Sequence, residues 1–158
     1  MCGFYGSYFG DKNITSKMKP LYHRGPDSNG IFSNENLFIK HFRLAILGNK
    51  TDAHQPMISY DGNVVLSYNG EIYNYKEIAS EMGNPKLSSY GDTRVLIELL
   101  AKEGLSSIDK LNGMFSFVVY FKKENELVLV RDRFGIKPLY YQIIKDGIYF
   151  SSEIKSFK

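Results

Sequence analysis

The sequence predicts an α+β fold in which strands and helices form separate layers around one core. Strand-like runs occupy both ends of the chain, helical signals lie between them, and the strand–helix alternation of a parallel sheet is missing. The chain has 158 residues, of which 43% are hydrophobic, enough to fill one core. No linker or repeat divides the sequence, so we expect a single domain over residues 1–158.

The predicted strands are short runs rich in β-branched and aromatic residues, bounded by turn-forming residues. The first run mixes small and aromatic residues before a polar turn, and we expect it to be a buried strand. Asp146-Gly147 predicts a hairpin turn between the last two runs. The seven runs are Cys2–Phe9, Leu37–Ile46, Asn63–Tyr68, Gly113–Phe121, Glu126–Arg131, Leu139–Ile144 and Ile148–Ser151.

Helices are predicted in the middle of the chain from their start and stop residues. One covers Tyr75–Met82 and ends at Gly83. Another covers Asp92–Glu103, with its aspartate as the N-cap, and ends at Gly104. A third, short helix is predicted over Ser106–Lys110.

Composition and charge argue against several classes of function. The net charge of +3 comes from scattered lysines, so nucleic-acid binding has little support. The sequence has no apolar stretch of about 20 residues and no secretory leader, so we expect a cytoplasmic protein without membrane contact. One cysteine cannot form an internal disulfide, and His23, His41 and His54 lack zinc-site spacing, so no metal is expected.

The Met1-Cys2-Gly3 start suggests a nucleophile. Aminopeptidases remove an initiator methionine before a small residue, which would leave Cys2 with a free α-amine. A free thiol has a pKa of about 8.5 and an α-amine one of about 7.7–8.0, so the amine can accept the thiol proton near neutral pH. The alternative is that a cysteine at the second position is accidental.

Three further segments have both a structural and a functional interpretation. Asn69-Gly70 lies between a β-rich run and a helix, where it predicts either a type I′ turn or an oxyanion hole made by the Asn69 amide and the Gly70 N–H. His23–Asp27 is a turn signature containing a proline. Arg131–Tyr140 indicates a strand, a glycine turn and another strand, whose charges could pair with each other.

Taken together, these segments resemble the glutaminase domain of the asparagine synthetase family, within the wider N-terminal-nucleophile amidotransferases. The residues of the His23–Asp27 and Asn69–Asn74 motifs favour this branch over the amidotransferases that make glucosamine phosphate or phosphoribosylamine. The resemblance implies a four-layer αββα sandwich of two mainly antiparallel sheets. The collinear matches are Cys2-Gly3, His23–Asp27, His41–Leu44, Gln55–Met57, Asn69–Asn74, Gly91–Thr93, Leu111–Phe117, Arg131–Tyr140 and Ser152–Lys155.

The resemblance also implies an activity and partners. A domain of this kind hydrolyses L-glutamine to glutamate and ammonia and supplies the ammonia to an ATP-dependent synthetase domain or subunit, by default one that makes asparagine. The sequence contains no pyrophosphate or phosphate-binding loop, so ATP and magnesium are expected only in a synthetase domain outside this chain. Three alternatives stay open: a partner in surface-polysaccharide amidation, a non-catalytic docking or regulatory module, and an amidase acting on other amides. A homodimer is also left open.

Roles follow for individual residues. Cys2 would attack the glutamine amide, and Asn69 with Gly70 would stabilise the oxyanion. Arg43 suits the α-carboxylate because its planar fork binds both oxygens, and Asp92, helped by Glu71, suits the α-ammonium group. The family also places the residues just after the arginine at the pocket, here Leu44, Ile46 and Leu47. Residues expected to support the pocket architecture are Arg24, Asp27, Arg131, Asp132 and Glu153.

Overall fold

The computed structural model describes residues 1–9, 18–44 and 54–157. These ranges contain nine strands, two α-helices and short 3₁₀ helices over Pro85–Tyr90, Gly104–Lys110 and Ile154–Ser156. The strands are β1 Gly3–Tyr8, β2 Ser28–Ser33, β3 Leu37–Arg43, β4 Met57–Ile58, β5 Val64–Ile72, β6 Gly113–Phe121, β7 Glu126–Arg131, β8 Tyr140–Ile144 and β9 Gly147–Ser151. The α-helices are α1 Tyr75–Glu81 and α2 Asp92–Glu103.

The strands form two sheets in which every neighbouring pair is antiparallel. One sheet has five strands in the order β2-β3-β1-β9-β8, and the other has four in the order β4-β5-β6-β7. β1 lies at the centre of the first sheet and is buried along nearly its whole length, as predicted. Its small and aromatic residues suit a strand that is covered on both faces.

The two sheets pack face to face, and the helices cover the outer face of the four-stranded sheet. Phe4, Ile39 and Phe150 of the first sheet meet Val65 and Val118 of the second. On the other face of the second sheet, alternate residues of β5 and β6 pack against the helices in a cluster that includes Leu66, Phe117, Leu96 and Leu100. Helices, sheet and sheet therefore form three successive layers.

The outer face of the five-stranded sheet carries its own apolar cluster. Tyr5 and Phe42 of that face pack against Met18, Leu21 and Phe157. Among the described residues this face is covered by the irregular segment that contains Met18 and Leu21 and by Phe157, which follows the last 3₁₀ helix, rather than by an α-helix. The predicted α+β class and the sandwich of two antiparallel sheets are confirmed.

Most predicted elements are present, and the differences have simple causes. The turn between β8 and β9 consists of Lys145 and Asp146, because Gly147 already pairs with Ile144. β2 was not predicted because it is a polar edge strand with alternately exposed residues. Gly104 ends α2 with a φ of 69°, a conformation that glycine adopts without strain. The third strand ends at Arg43, and the end of its predicted range lies outside the described residues.

Candidate active site

The strand register brings two predicted site residues to one end of the space between the sheets. Phe4 and His41 lie opposite each other and face the second sheet. Because side chains alternate along a strand, Cys2 and Arg43, each two residues further along, lie on the same face. On the second sheet, Asn69 shares the inter-sheet face of β5 with Val65.

These residues line a cavity of about 440 Å³. Every predicted site residue that the structure describes borders it, while Ile46 and Leu47 lie outside the described residues. A cavity of this size accommodates a molecule as large as an amino acid. Its lining consists of Met1, Cys2, Arg43, Leu44, Gln55, Tyr68, Asn69, Gly70, Glu71, Asp92, Thr93, Met114 and Lys137.

Asn69 offers a hydrogen-bond donor to this cavity. Its side chain is only 3% exposed, and its Nδ2 atom has no partner among the described residues. A buried amide without a partner is costly, which marks it as a group awaiting a ligand. The interpretation of Asn69-Gly70 as a hairpin turn is wrong, because both residues lie within β5 and pair with Ser116 and Phe115.

The Gly70 N–H points to the same edge of β5 as the backbone N–H groups of Tyr68 and Ile72. The Tyr68 N–H donates to Gln55 Oε1 at 2.6 Å, and the Ile72 N–H donates to Asp92 Oδ2 at 3.2 Å. Alternate N–H groups of a strand point to the same side. The Gly70 N–H, between these two, therefore points to the edge at which the cavity lies.

The opposite strand supports this orientation. Phe115, which lies across from Gly70, uses its own backbone groups to bond Asp132 at 3.2 and 2.8 Å. Gly70 and Phe115 are therefore a non-hydrogen-bonded pair, in which strands approach closely. A side chain at position 70 would place its Cβ 2.7 Å from the Phe115 Cα, so glycine is required here.

Cys2 is held from behind by an arginine. The Arg24 Nε donates to the Cys2 carbonyl oxygen at 2.9 Å, and its Nη1 donates to Glu153 Oε1 at 3.1 Å. The Cys2 Sγ lies 3.8 Å from the Leu44 carbonyl oxygen and is partly exposed to the cavity. These contacts fix the backbone of Cys2 while leaving its thiol accessible.

The Glu153 carboxylate contacts two basic side chains in addition to Arg24. It contacts His23 Nε2 at 2.9 Å and Lys155 Nζ at 3.0 Å. Burial raises the pKa of Glu153, but the hydrogen bonds from His23, Lys155 and Arg24 outweigh burial and lower it to about 2. The role predicted for Arg24 and Glu153, support of the pocket, fits these contacts.

Replacing Glu153 with glutamine should lower the free energy of unfolding at pH 7 by about 1–2 kcal/mol, since Arg24 loses its anionic partner. The Glu153 carboxyl has a lower pKa when folded than its ordinary 4.5, so its contribution is complete above that pH and disappears as the pH falls towards 2. Urea unfolding from pH 7 to pH 2.5 should therefore bring wild type and Glu153→Gln together. The exposed Glu124→Gln should follow wild type throughout, and a constant difference between wild type and Glu153→Gln would contradict the assignment.

Asp92 begins α2 and is not its N-cap, a position that Gly91 occupies. Its Oδ2 accepts a hydrogen bond from the Tyr68 hydroxyl at 2.6 Å. Burial and the negative charge of Asp92 raise the pKa of Tyr68, so the phenol stays protonated and donates to the carboxylate. Asp92 is thus an oriented anion at the cavity wall, and its predicted role in binding an ammonium group stays a prediction.

The charges of the loop after β7 do not pair with each other, contrary to the structural interpretation. Asp132 accepts backbone N–H groups of Phe134, Ile136 and Lys137 at 2.9–3.2 Å. Burial raises the Asp132 pKa, but these bonds outweigh it and the pKa is lowered. Arg131 donates to the Lys137 carbonyl at 2.9 Å. The loop is thereby fixed with Lys137 at the cavity.

Sequence reasoning assigned no role to several lining residues. Gln55 and Lys137 lie within segments that resemble the glutaminase domain, but no contact with the substrate was predicted for either residue. His41 was considered as a metal ligand and lies in the matching segment His41–Leu44, but no role in the site was predicted for it. Burial, with Arg43 nearby, lowers its pKa to about 3, so it is neutral and contacts Ser67 Oγ at 2.8 Å. Among the described residues no group of histidine, cysteine and acidic side chains is arranged to hold a metal. No described helix is long and apolar enough to cross a membrane.

Solved structures identify the architecture. The structure superimposes on glutamine phosphoribosylpyrophosphate amidotransferase from Bacillus subtilis with a TM-score of 0.68 and 21% sequence identity, covering 96% of this chain and 42% of that one. At this identity the likeness establishes the fold alone. The chain therefore has the fold of that structure, and its cavity at Cys2 lies at one end of the space between the two sheets.

Sequence comparison gives the family. The family described as "Glutamine amidotransferase domain" matches residues 1–158, and this chain belongs to it, which confirms the resemblance. The chain is 40% identical over 136 residues to asparagine synthetase [glutamine-hydrolyzing] 2 of Bacillus subtilis, covering 86% of this chain and 18% of that protein. It is 38% identical over 151 residues to a probable asparagine synthetase of Dictyostelium discoideum, covering 93% and 27% respectively. The chain thus spans less than a third of either relative.

Proposed function

We propose that this chain hydrolyses glutamine to glutamate and ammonia with Cys2 as the nucleophile, once Met1 has been removed. The observation that supports this most directly is the buried Asn69 amide, which has no partner among the described residues and lies in the same cavity as Cys2. A donor placed in this way is what a reaction through an oxyanion requires.

The reaction would proceed through a thioester. The Cys2 thiol gives its proton to its own α-amine, and the thiolate attacks the side-chain carbonyl carbon of glutamine. The resulting oxyanion accepts hydrogen bonds from Asn69 Nδ2 and the Gly70 N–H. The ammonium group returns its proton to the leaving nitrogen, so the C–N bond breaks and ammonia departs. Water then hydrolyses the glutamyl thioester and regenerates the thiol.

Specificity would come from two charged side chains of the protein, each of which binds one charged group of glutamine. Among residues 1–9, 18–44 and 54–157 the Arg43 guanidinium has no hydrogen-bond partner, so it is available for the α-carboxylate of glutamine. Asp92, oriented by the Tyr68 hydroxyl, would bind the α-ammonium group, with Glu71 beside it. Leu44, with Ile46 and Leu47, would complete the wall next to the arginine.

The ammonia acceptor would be an ATP-dependent synthetase domain or subunit. Both relatives named above carry asparagine synthetase in their names, and this chain spans less than a third of each. Asparagine formation in the cytoplasm is therefore the default, with ATP and magnesium bound by the acceptor. Arrangement as a homodimer would be compatible with this role.

Arg43→Lys should raise the KM for glutamine about 10–100-fold with little change in kcat, because lysine cannot bind both carboxylate oxygens. Ammonia release by the matured protein gives both constants. Wild type should prefer glutamine strongly over acetamide, a primary amide without a carboxylate or ammonium group. The exposed Arg133→Lys provides the control. Equal rates on the two amides would refute recognition of an amino acid.

A further inference from the structure

We infer that Lys137 is a positioning residue for the proposed reaction, and that its charge keeps the α-amine of Cys2 unprotonated and ready to accept the thiol proton. The inference rests on the proposed function of Cys2. It concerns the protonation of the α-amine that acts as the base, and the attacking group is still the Cys2 thiol. The argument depends on where the loop after β7 places the lysine and on what surrounds it.

Lys137 is a buried cation in the wall of the cavity. Its side chain is 8% exposed, and no carboxylate pairs with it among the described residues. Its Nζ instead donates to the Met1 Sδ at 3.5 Å. A buried ammonium group usually has an anionic partner, so a lysine left without one indicates a functional position.

The backbone around Lys137 is fixed from both sides. Its N–H donates to Asp132 Oδ2 at 2.9 Å, and its carbonyl accepts from Arg131 Nε at 2.9 Å. Asp132 also bonds Phe115 of β6, the residue opposite Gly70. The lysine is therefore tied to the strand pair that carries the proposed oxyanion hole.

The contact with Met1 places the Lys137 ammonium group at the end of the cavity that holds the N-terminus. The Met1 sulfur is five covalent bonds from the Cys2 nitrogen, and Met1, Cys2 and Lys137 all line the same cavity. When Met1 is removed, the Cys2 nitrogen becomes the terminal amine. A positive charge beside an amine disfavours its protonated form, and the same charge favours a thiolate.

The other cations around Cys2, Arg24 and Arg43, have anionic counterparts. Arg24, behind Cys2, is paired with Glu153. In the proposed complex, Arg43 and Asp92 are matched by the carboxylate and ammonium group of glutamine, which leaves Lys137, among the described residues, as the cation at the cavity without an anionic partner. Within the described part of the chain, the titratable and charged groups around the cavity are Arg24 before β2, Arg43 on β3, Tyr68 and Glu71 on β5, Asp92 on α2 and Lys137.

Direct titration of the amine tests this inference without requiring turnover. The chain has a single cysteine, so protein grown with ¹³C-cysteine and matured by aminopeptidase carries one labelled residue at its terminus. We expect Lys137→Met to raise the titration midpoint of the Cys2 α-amine by about one pH unit, as loss of a nearby cation should. Lys137→Arg should keep the wild-type midpoint. The exposed Lys86→Met is the control and should also match wild type.

The same shift should appear on the acidic side of the kcat/KM profile for glutamine, which reports the base of the free enzyme. Thermal unfolding establishes that each variant is folded, and Lys137→Gln replaces Lys137→Met if the latter is not. Coincident titrations of wild type and the neutral variant would overturn the inference, as would an equal shift in Lys137→Arg. If the amine shifts as expected but no protein releases ammonia, the effect of Lys137 on the amine is established and the proposed glutaminase function fails.

Discussion

Cys2→Ala should reduce ammonia release from glutamine by about four orders of magnitude or more, because no other thiol is available to form the thioester. Alanine is small, so Met1 is still removed and the terminus keeps its α-amine. The Arg24 bond to the backbone carbonyl of residue 2 is independent of the side chain, so the fold should be retained. Calorimetry should show glutamine bound with nearly wild-type affinity.

A diazoketone analogue of glutamine provides the second measurement for this variant. Wild type should be alkylated at the N-terminal peptide and Cys2→Ala should not, since the thiolate is the reacting group. Protein that retains Met1 is the matched control, because its nitrogen at residue 2 is an amide and cannot act as the base. Label on another peptide, or ammonia release by Cys2→Ala, would rule out Cys2 as the nucleophile.

Asn69→Ala should lower kcat by about 10²–10³-fold, the usual effect of losing one oxyanion donor, with little change in KM. The Nδ2 group has no partner among the described residues, so its removal breaks no bond that stabilises the folded state. Asn69→Asp should be at least as damaging, because it keeps the shape but replaces the donor with an acceptor.

Steady-state ammonia release and glutamine binding separate this effect from misfolding. Asn84→Ala changes an exposed asparagine whose side chain caps no helix, and it should behave as wild type. A normal kcat in Asn69→Ala would remove the oxyanion role. A large rise in KM with kcat unchanged would assign Asn69 to substrate binding instead.

Local patterns predicted the regular elements well because they depend on neighbouring residues. α2, β6 and β7 have the predicted bounds, since each is marked by its own capping or turn residues and a clear hydrophobic pattern. Asn69-Gly70 was harder to interpret. The pair is a frequent turn signal, but here β6 lies alongside and extends β5 to Ile72. Pairing between distant strands overrides local turn preference.

The sequence alone determined the α+β class and the family, and it predicted the residue types of a glutamine site. Strand and helix periods and collinear motifs can be identified from neighbouring residues along the chain. Only the tertiary structure decided that Asn69 faces Cys2 across two sheets, that Arg24 holds the Cys2 carbonyl, and that Lys137 lies beside the terminus. These contacts join residues 22 to 136 positions apart or lie on separate sheets. Their geometry depends on how the sheets stack, which no local pattern encodes.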